Sequence, residues 1–201
     1  MLRFIFPLLI AHSFVSLAHA TPPESASPCL LNIDAALVKR AESGNAASQY
    51  KLGKELVSQA CEASQYDKGL DLILEAATAG YPPAQFQVGT FLIADASTDD
   101  DKQLGIRFLT KSAEAGFVDA QTWLGVVLMS EAKVPHQRDQ ALYWIGSAAN
   151  KGSIKAAMTA HLVYKEGLHG YSKDACAAAL WKEAAEIMSG KSGTTINHAC
   201  R

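Results

Sequence analysis

Ser48-Gln49-Tyr50-Lys51 sets a hydroxyl three residues ahead of an amine. On a helix that spacing puts both on one face. A neutral lysine there could take the serine proton and free the oxygen to attack an acyl carbon. Ser43-Gly44-Asn45 and Lys191-Ser192-Gly193 imitate the S-D-N and K-T-G words of β-lactam-processing serine enzymes. The order is wrong, because the S-D-N imitation precedes the S-x-x-K one. Ser43-Gly44-Asn45 also reads as a helix end, and Lys51 occupies an ordinary position of an internal repeat. No catalytic residue is therefore assigned.

Other constellations fare no better. Gly190-Lys191-Ser192 resembles the end of a phosphate loop, but Ala185 stands where its first glycine is required. His161 and His169 are eight apart, and His136 and His198 are isolated. None makes the paired spacing of a metal site. Asp95, Asp99, Asp100 and Asp101 form an acidic run without the glycine and terminal glutamate of a calcium loop. A solvated loop capping the next helix is the better reading. No metal and no cofactor is expected.

The amino terminus reads as a targeting signal rather than structure. Arg3 precedes an apolar stretch from Phe4 to Leu17, and Ala18-His19-Ala20 is an A-x-A cleavage site. The apolar run is too short to span a bilayer. Removing residues 1–20 takes one base and no acid, leaving 17 bases against 20 acids, a net charge of −3. Nucleic-acid binding needs a basic face, so that partner is not expected. A periplasmic or secreted protein is, with no membrane span after cleavage. Cys29, Cys61, Cys176 and Cys200 make an even count, which in an exported chain suggests two disulfides. Three pairings are possible.

The elements that would position any site come from the internal repeat. Gly44, Gly80, Gly116 and Gly152 are each 36 residues apart, as are Ala41, Ala77, Ala113, Ala149 and Ala185. Gly53, Gly89 and Gly125 recur at the same period, with His161 in the fourth place. Each repeat reads as two helices: a helix A such as 82–94 and a helix B such as 102–115. Helix B carries apolar residues at i, i+3 and i+7, as in Leu70, Ile73 and Ala77. Gly44, Gly80, Gly116 and Gly152 should close the B helices. Gly53, Gly89 and Gly125 fall inside helix A, where glycine costs about 1 kcal/mol relative to alanine. Close approach of the paired helix is the expected reason. Residues 31–43 fit a capping helix, 21–30 an extended start and 189–201 a tail.

The words Ser48-Gln49-Tyr50-Lys51-Leu52-Gly53, Ala84-Gln85-Phe86-Gln87-Val88-Gly89 and Ala120-Gln121-Thr122-Trp123-Leu124-Gly125 resemble the Sel-one-like repeats, relatives of tetratricopeptide repeats. The resemblance covers roughly residues 41–188 and departs at Ala160-His161. It implies an all-α, right-handed α-solenoid of four helix-turn-helix repeats over 31–188, and a role in binding another protein. It also brings in cysteine-bridged secreted members. In the repeat frame Cys61 and Cys176 stand about three layers apart at roughly 10 Å per layer, beyond disulfide reach. Cys29 at the capping helix and Cys61 lie on one edge of adjacent layers, while Cys176 and Cys200 belong to the last helix B and the tail, so Cys29–Cys61 and Cys176–Cys200 are the expected pairs.

Comparison between copies separates core from surface. Trp123 is matched by Lys51, Gln87 and Thr159, and Tyr143 by Asp71, Arg107 and Ala179. Neither aromatic is required for the core, so both are candidate anchors for a partner; shielding by a loop is the alternative for Trp123. Trp144 and Trp181 match apolar positions and are expected in the core. By analogy with tetratricopeptide repeats, helix A lines the binding face, with Tyr50, Lys54, Phe86, Thr90, Thr122, Val126 and Met129 as candidates. The function expected is an exported protein-binding module, as an immunity or regulatory protein that neutralises an envelope-acting partner such as a secreted antibacterial toxin. The alternative is a β-lactam-binding or hydrolysing enzyme of the cysteine-rich repeat type.

Overall fold

A computed structural model describes residues 33–191 and Cys200. Among these residues all regular structure is helical. The helices are α1 Ala35–Glu42, α2 Ala46–Gln59, α3 Ala63–Thr78, α4 Pro82–Ala94, α5 Asp99–Glu114, α6 Val118–Glu131, α7 Pro135–Asn150, α8 Ile154–Glu166 and α9 Ala175–Met188. A 3₁₀ turn, Leu168–Gly170, lies between the last two. Helices α2, α4, α6 and α8 are the A helices of the repeat, and α3, α5, α7 and α9 are the B helices. The capping helix is α1; residues 31 and 32 of its expected span, the targeting segment and the extended start lie outside the described residues.

The chain divides into two compact units, one ending at Phe108 and the other beginning at Leu109. In the first, Leu37 and Ala41 of α1 bury against Leu52 and Leu56 of α2. Ile73, Ala76 and Ala77 of α3 bury with Ala84, Val88 and Leu92 of α4 and with Phe108. In the second, Ala141, Ile145 and Ala148 of α7 bury with Ala156, Ala157, Ala160 and Val163 of α8, Met129 of α6 and Ala185 of α9. Apolar transfer from water holds both units together, at roughly 25 cal/mol per Å² of surface buried.

The helix ends repeat as closely as the sequence does. At Gly80 the backbone turns left-handed, with φ +91°. The Gly80 N–H donates to the Ala77 carbonyl at 3.1 Å and the Tyr81 N–H to the Ala76 carbonyl at 2.9 Å. These bonds satisfy carbonyls that the ending helix leaves without partners. Gly44, Gly116 and Gly152 end α1, α5 and α7 in the same way. Gly190 does so for α9, with Lys191 N–H donating to Glu186 O at 3.0 Å. Residues 189–191, expected in the tail, thus complete the last helix.

Helix starts use a register that the sequence reading missed. Gln65, Asp101 and Gln137 are 36 apart. Gln65 Oε1 accepts from the Cys61 N–H at 3.1 Å, and Gln137 Oε1 from the Lys133 N–H at 2.8 Å. Asp101 Oδ2 accepts from the Thr98 N–H at 3.2 Å, while its own N–H donates to Thr98 Oγ1 at 3.1 Å. This reciprocal pair is a capping box. The hydroxyl of Thr98 bonding to its side chain is the main reason the Asp101 carboxyl lies below the usual range. Of the acidic run, Asp101 thus caps a B helix, while Asp99–Asp101 form the first turn of that helix rather than a loop and Asp95 ends α4.

Candidate functional site

The close approach expected at the helix A glycines is present, and its other half lies in helix B. A Cβ on Gly53 would stand 2.6 Å from the Gly69 carbonyl oxygen, and a Cβ on Gly69 would stand 2.8 Å from that of Gly53. The pair Gly89 and Gly105 repeats this in the first unit, where a Cβ on Gly105 would meet Gly89 O at 2.8 Å. In the second unit Gly125 lies against Ala141 and Ile145. In the fourth copy His161 replaces the glycine, and its Nδ1 sits 2.8 Å from Ala178 O. Gly69, Gly105, Ala141 and Ala177 recur at 36 residues, a signal the sequence carried.

In the first unit, Tyr50 and Lys54 come together on α2. The Lys54 Nζ lies 5.5 Å from the Tyr50 ring centre, and the Tyr50 and Tyr81 rings are 5.5 Å apart. Burial, with Tyr81 adding, pushes the Tyr50 phenol above its ordinary pKa. Both residues line a groove of about 640 Å³ that also takes in Arg40, Lys51 and Glu55. Arg40 and Tyr81 were not among the expected site residues. Phe86 and Thr90 are half-buried on α4, and the Thr90 hydroxyl donates to the Phe86 carbonyl at 3.0 Å. Ser48 is buried at the start of α2, and the Lys51 Nζ lies 4.0 Å from Glu55 Oε1.

In the second unit the expected row on α6 needs correction. Thr122 and Met129 are each 2% exposed and cannot touch a partner. Met129 is part of the core. Thr122 is covered because α8 begins over it, with Thr122 Oγ1 3.1 Å from Ser153 Oγ. Val126 is half-buried against the same core. Trp123 is 40% exposed and Tyr143 65%. The Lys155 Nζ of α8 stands 4.8 Å from the Trp123 ring centre, in cation–π range. The Tyr143 ring meets Trp144 edge-on at 5.1 Å. Trp181 packs against the core as expected, half-buried, and Trp144 is half-buried.

The same helical row reappears, uncovered, one repeat later. Ile154, Met158 and Leu162 of α8 are 36 residues beyond Val118, Thr122 and Val126. All three are exposed. At i, i+4 and i+8 they form one stripe. Thr122 of the α6 row is covered by the start of α8, and α8 is the last A helix among the described residues. Among those residues, every large exposed apolar side chain belongs to the second unit.

The Cys176–Cys200 pairing is present, with Cα atoms 4.6 Å apart. Cys61 is also held in a disulfide. Its expected partner, Cys29, lies outside the described residues. Among the described residues no group of three or more histidines, cysteines or acids could hold a metal ion, and no helix is long and apolar enough to cross a membrane.

No family model and no curated protein matches the chain. Solved structures do. A protective antigen of uropathogenic Escherichia coli displaying an SLR fold is 27% identical, with a TM-score of 0.60 over 74% of this chain and 32% of that one. A Sel1 repeat protein from Oxalobacter formigenes is 24% identical, with a TM-score of 0.60 over 75% of this chain and 62% of that one. The chain thus spans less than two thirds of the length of either. A protein from Klebsiella pneumoniae subsp. pneumoniae, described as of sel1 repeat type, is 21% identical, with a TM-score of 0.51 over 81% and 85% of the two chains. The chain is an all-helical repeat protein of the solenoid class. Its helix pairs share the fold of these Sel1-type repeat structures.

Proposed function

We propose that the chain is an exported protein-binding module, processed after Ala20, with the repeat array over 31–188 as its working part, closed by residues 189–191, and the rest of 189–201 as its tail. The observation that carries the binding role is the concentration of exposed apolar residues in the second unit, Trp123 and Tyr143 foremost. Exposed apolar surface rimmed by polar residues marks interaction sites where it is contiguous, and aromatic anchors dominate interface energetics. Export is supported by the signal-like first 20 residues and by cysteines held in disulfides, which persist in oxidising compartments. Within that reading, the role is that of an immunity or regulatory protein holding an envelope-acting partner, such as a secreted antibacterial toxin. The test is to isolate the tagged protein from the periplasm, measure its mass and identify what co-purifies. A mature chain beginning at Thr21 with one stoichiometric partner, lost in Trp123→Ala, is the expected result. An unprocessed cytoplasmic chain would overturn export, and a partner retained equally by Trp123→Ala would overturn the assigned face.

A further inference from the structure

The groove of the first unit differs in character from the unit that contains it. Residues 33–108 hold seven bases against eleven acids. The groove gathers three of those bases, Arg40, Lys51 and Lys54, and one acid, Glu55. Among the described residues no carboxylate pairs with Arg40 or Lys54, while Lys51 reaches Glu55 only at 4.0 Å. The same groove is lined by Tyr50 and Tyr81, whose rings are 5.5 Å apart, and by buried Leu37. A local excess of positive charge on an acidic unit is what an acidic ligand selects, and complementary charge also speeds its encounter.

We propose that this groove binds an extended acidic segment of a partner protein. Its carboxylates meet Arg40, Lys51 and Lys54, and one apolar side chain rests on Tyr50 and Tyr81. Arginine and lysine donate to carboxylates through charge-assisted bonds stronger than neutral ones. The tyrosine rings supply apolar contact at little entropic cost, having few rotatable bonds. The Lys54 amine lies within cation–π range of the Tyr50 ring, beside the groove. The proposal deepens the protein-binding role and rests on it, but it concerns residues of the first unit, not Trp123 of the second.

The test uses the signal-processed protein and a fluorescein-labelled heptapeptide of glutamates and aspartates around a central leucine. Fluorescence polarisation at low salt should show saturable binding that weakens as salt rises. Arg40→Ala with Lys54→Ala should weaken it about tenfold, since two partly exposed charge contacts are each worth up to about 1 kcal/mol. Arg40 and Lys54 are at least partly exposed, and unchanged melting of the double variant verifies its fold. Trp123→Ala should bind the peptide as the parent does. Equal affinity for the glutamine and asparagine version of the peptide would overturn the proposal. So would parent-like binding by the double variant, loss of binding in Trp123→Ala, or the absence of saturable binding. A decathymidylate that competes as well as the acidic peptide would also overturn it, by showing adhesion of any polyanion. Peptide binding alongside failure to find a partner at Trp123 would leave the groove standing and sink the assigned apolar face instead.

Discussion

Gly53 and Gly69 face each other across the α2–α3 pair so closely that neither has room for a methyl group. The missing Cβ of Gly53 would stand 2.6 Å from the carbonyl oxygen of Gly69, and that of Gly69 2.8 Å from the carbonyl oxygen of Gly53. Backbone oxygens, which cannot swing aside as a side-chain tip can, stand in the way on both sides, together with Ile73 Cγ1 against Gly53 and Val57 Cγ2 against Gly69, each at 2.8 Å.

Gly53→Ala and Gly69→Ala should therefore destabilise the protein. Overpacking costs about 1–3 kcal/mol, and it opposes the gain of about 1 kcal/mol that alanine brings to a helix interior. Gly125→Ala meets side-chain carbons of Ile145 first, at 2.7 Å, so its loss should be smaller. Urea unfolding of the three variants checks this order. A Gly53→Ala variant more stable than the parent would show that the helices separate at no cost.

The alkaline limb of stability should carry the mark of Tyr171. Its phenol is pushed up to about 12, chiefly by burial and next by Tyr164, and its hydroxyl donates to the Arg138 carbonyl at 2.6 Å. A pKa raised by folding means that the fold favours the neutral phenol. The stabilisation is complete below the ordinary value of 10.0 and is lost as pH rises through 12. Tyr171→Phe should cost about 1 kcal/mol at neutral pH, the usual worth of one such bond. It should also flatten the decline between those two pH values. Thermal melts across that range, with phenolate absorbance followed in parallel, read both effects.

Asp101 gives the opposite sign. Its lowered pKa, owed first to the Thr98 hydroxyl, means that its ionised form is favoured in the fold. That contribution is present above the ordinary carboxyl pKa and is lost as pH falls. The equivalent positions hold Gln65 and Gln137, whose amide oxygens also accept from backbone N–H groups ahead of a B helix. Asp101→Gln should therefore keep near-parent stability at neutral pH while losing part of the acid dependence. Melts at pH values on both sides of the carboxyl range test it; a large neutral loss would mean that the charge, and not the accepting oxygen, caps α5.

Much of the fold was legible because a repeat reports on itself. The period placed both helices of each copy, and the glycines at 44, 80, 116 and 152 placed the B-helix ends. The same comparison held the partner glycine Gly69 and the capping row Gln65, Asp101 and Gln137, yet neither stands out by residue type alone. The binding face was less legible. Whether a row is covered depends on the next A helix along the chain, so Thr122 is buried beneath Ser153 while Met158, its counterpart, is exposed. The groove joins Arg40, Tyr50 and Tyr81 from three parts of the first unit, a juxtaposition that spacing along one helix does not encode.

Photocrosslinking at position 123 tests the binding role most directly. A benzophenone amino acid replaces Trp123, and a second variant carries it at exposed Gln103 in the first unit. Irradiated cells should give one crosslinked species of defined mass from position 123 and none from 103. No crosslink at 123, or the same products at both positions, would contradict the assignment of the exposed apolar face as the surface that holds a partner.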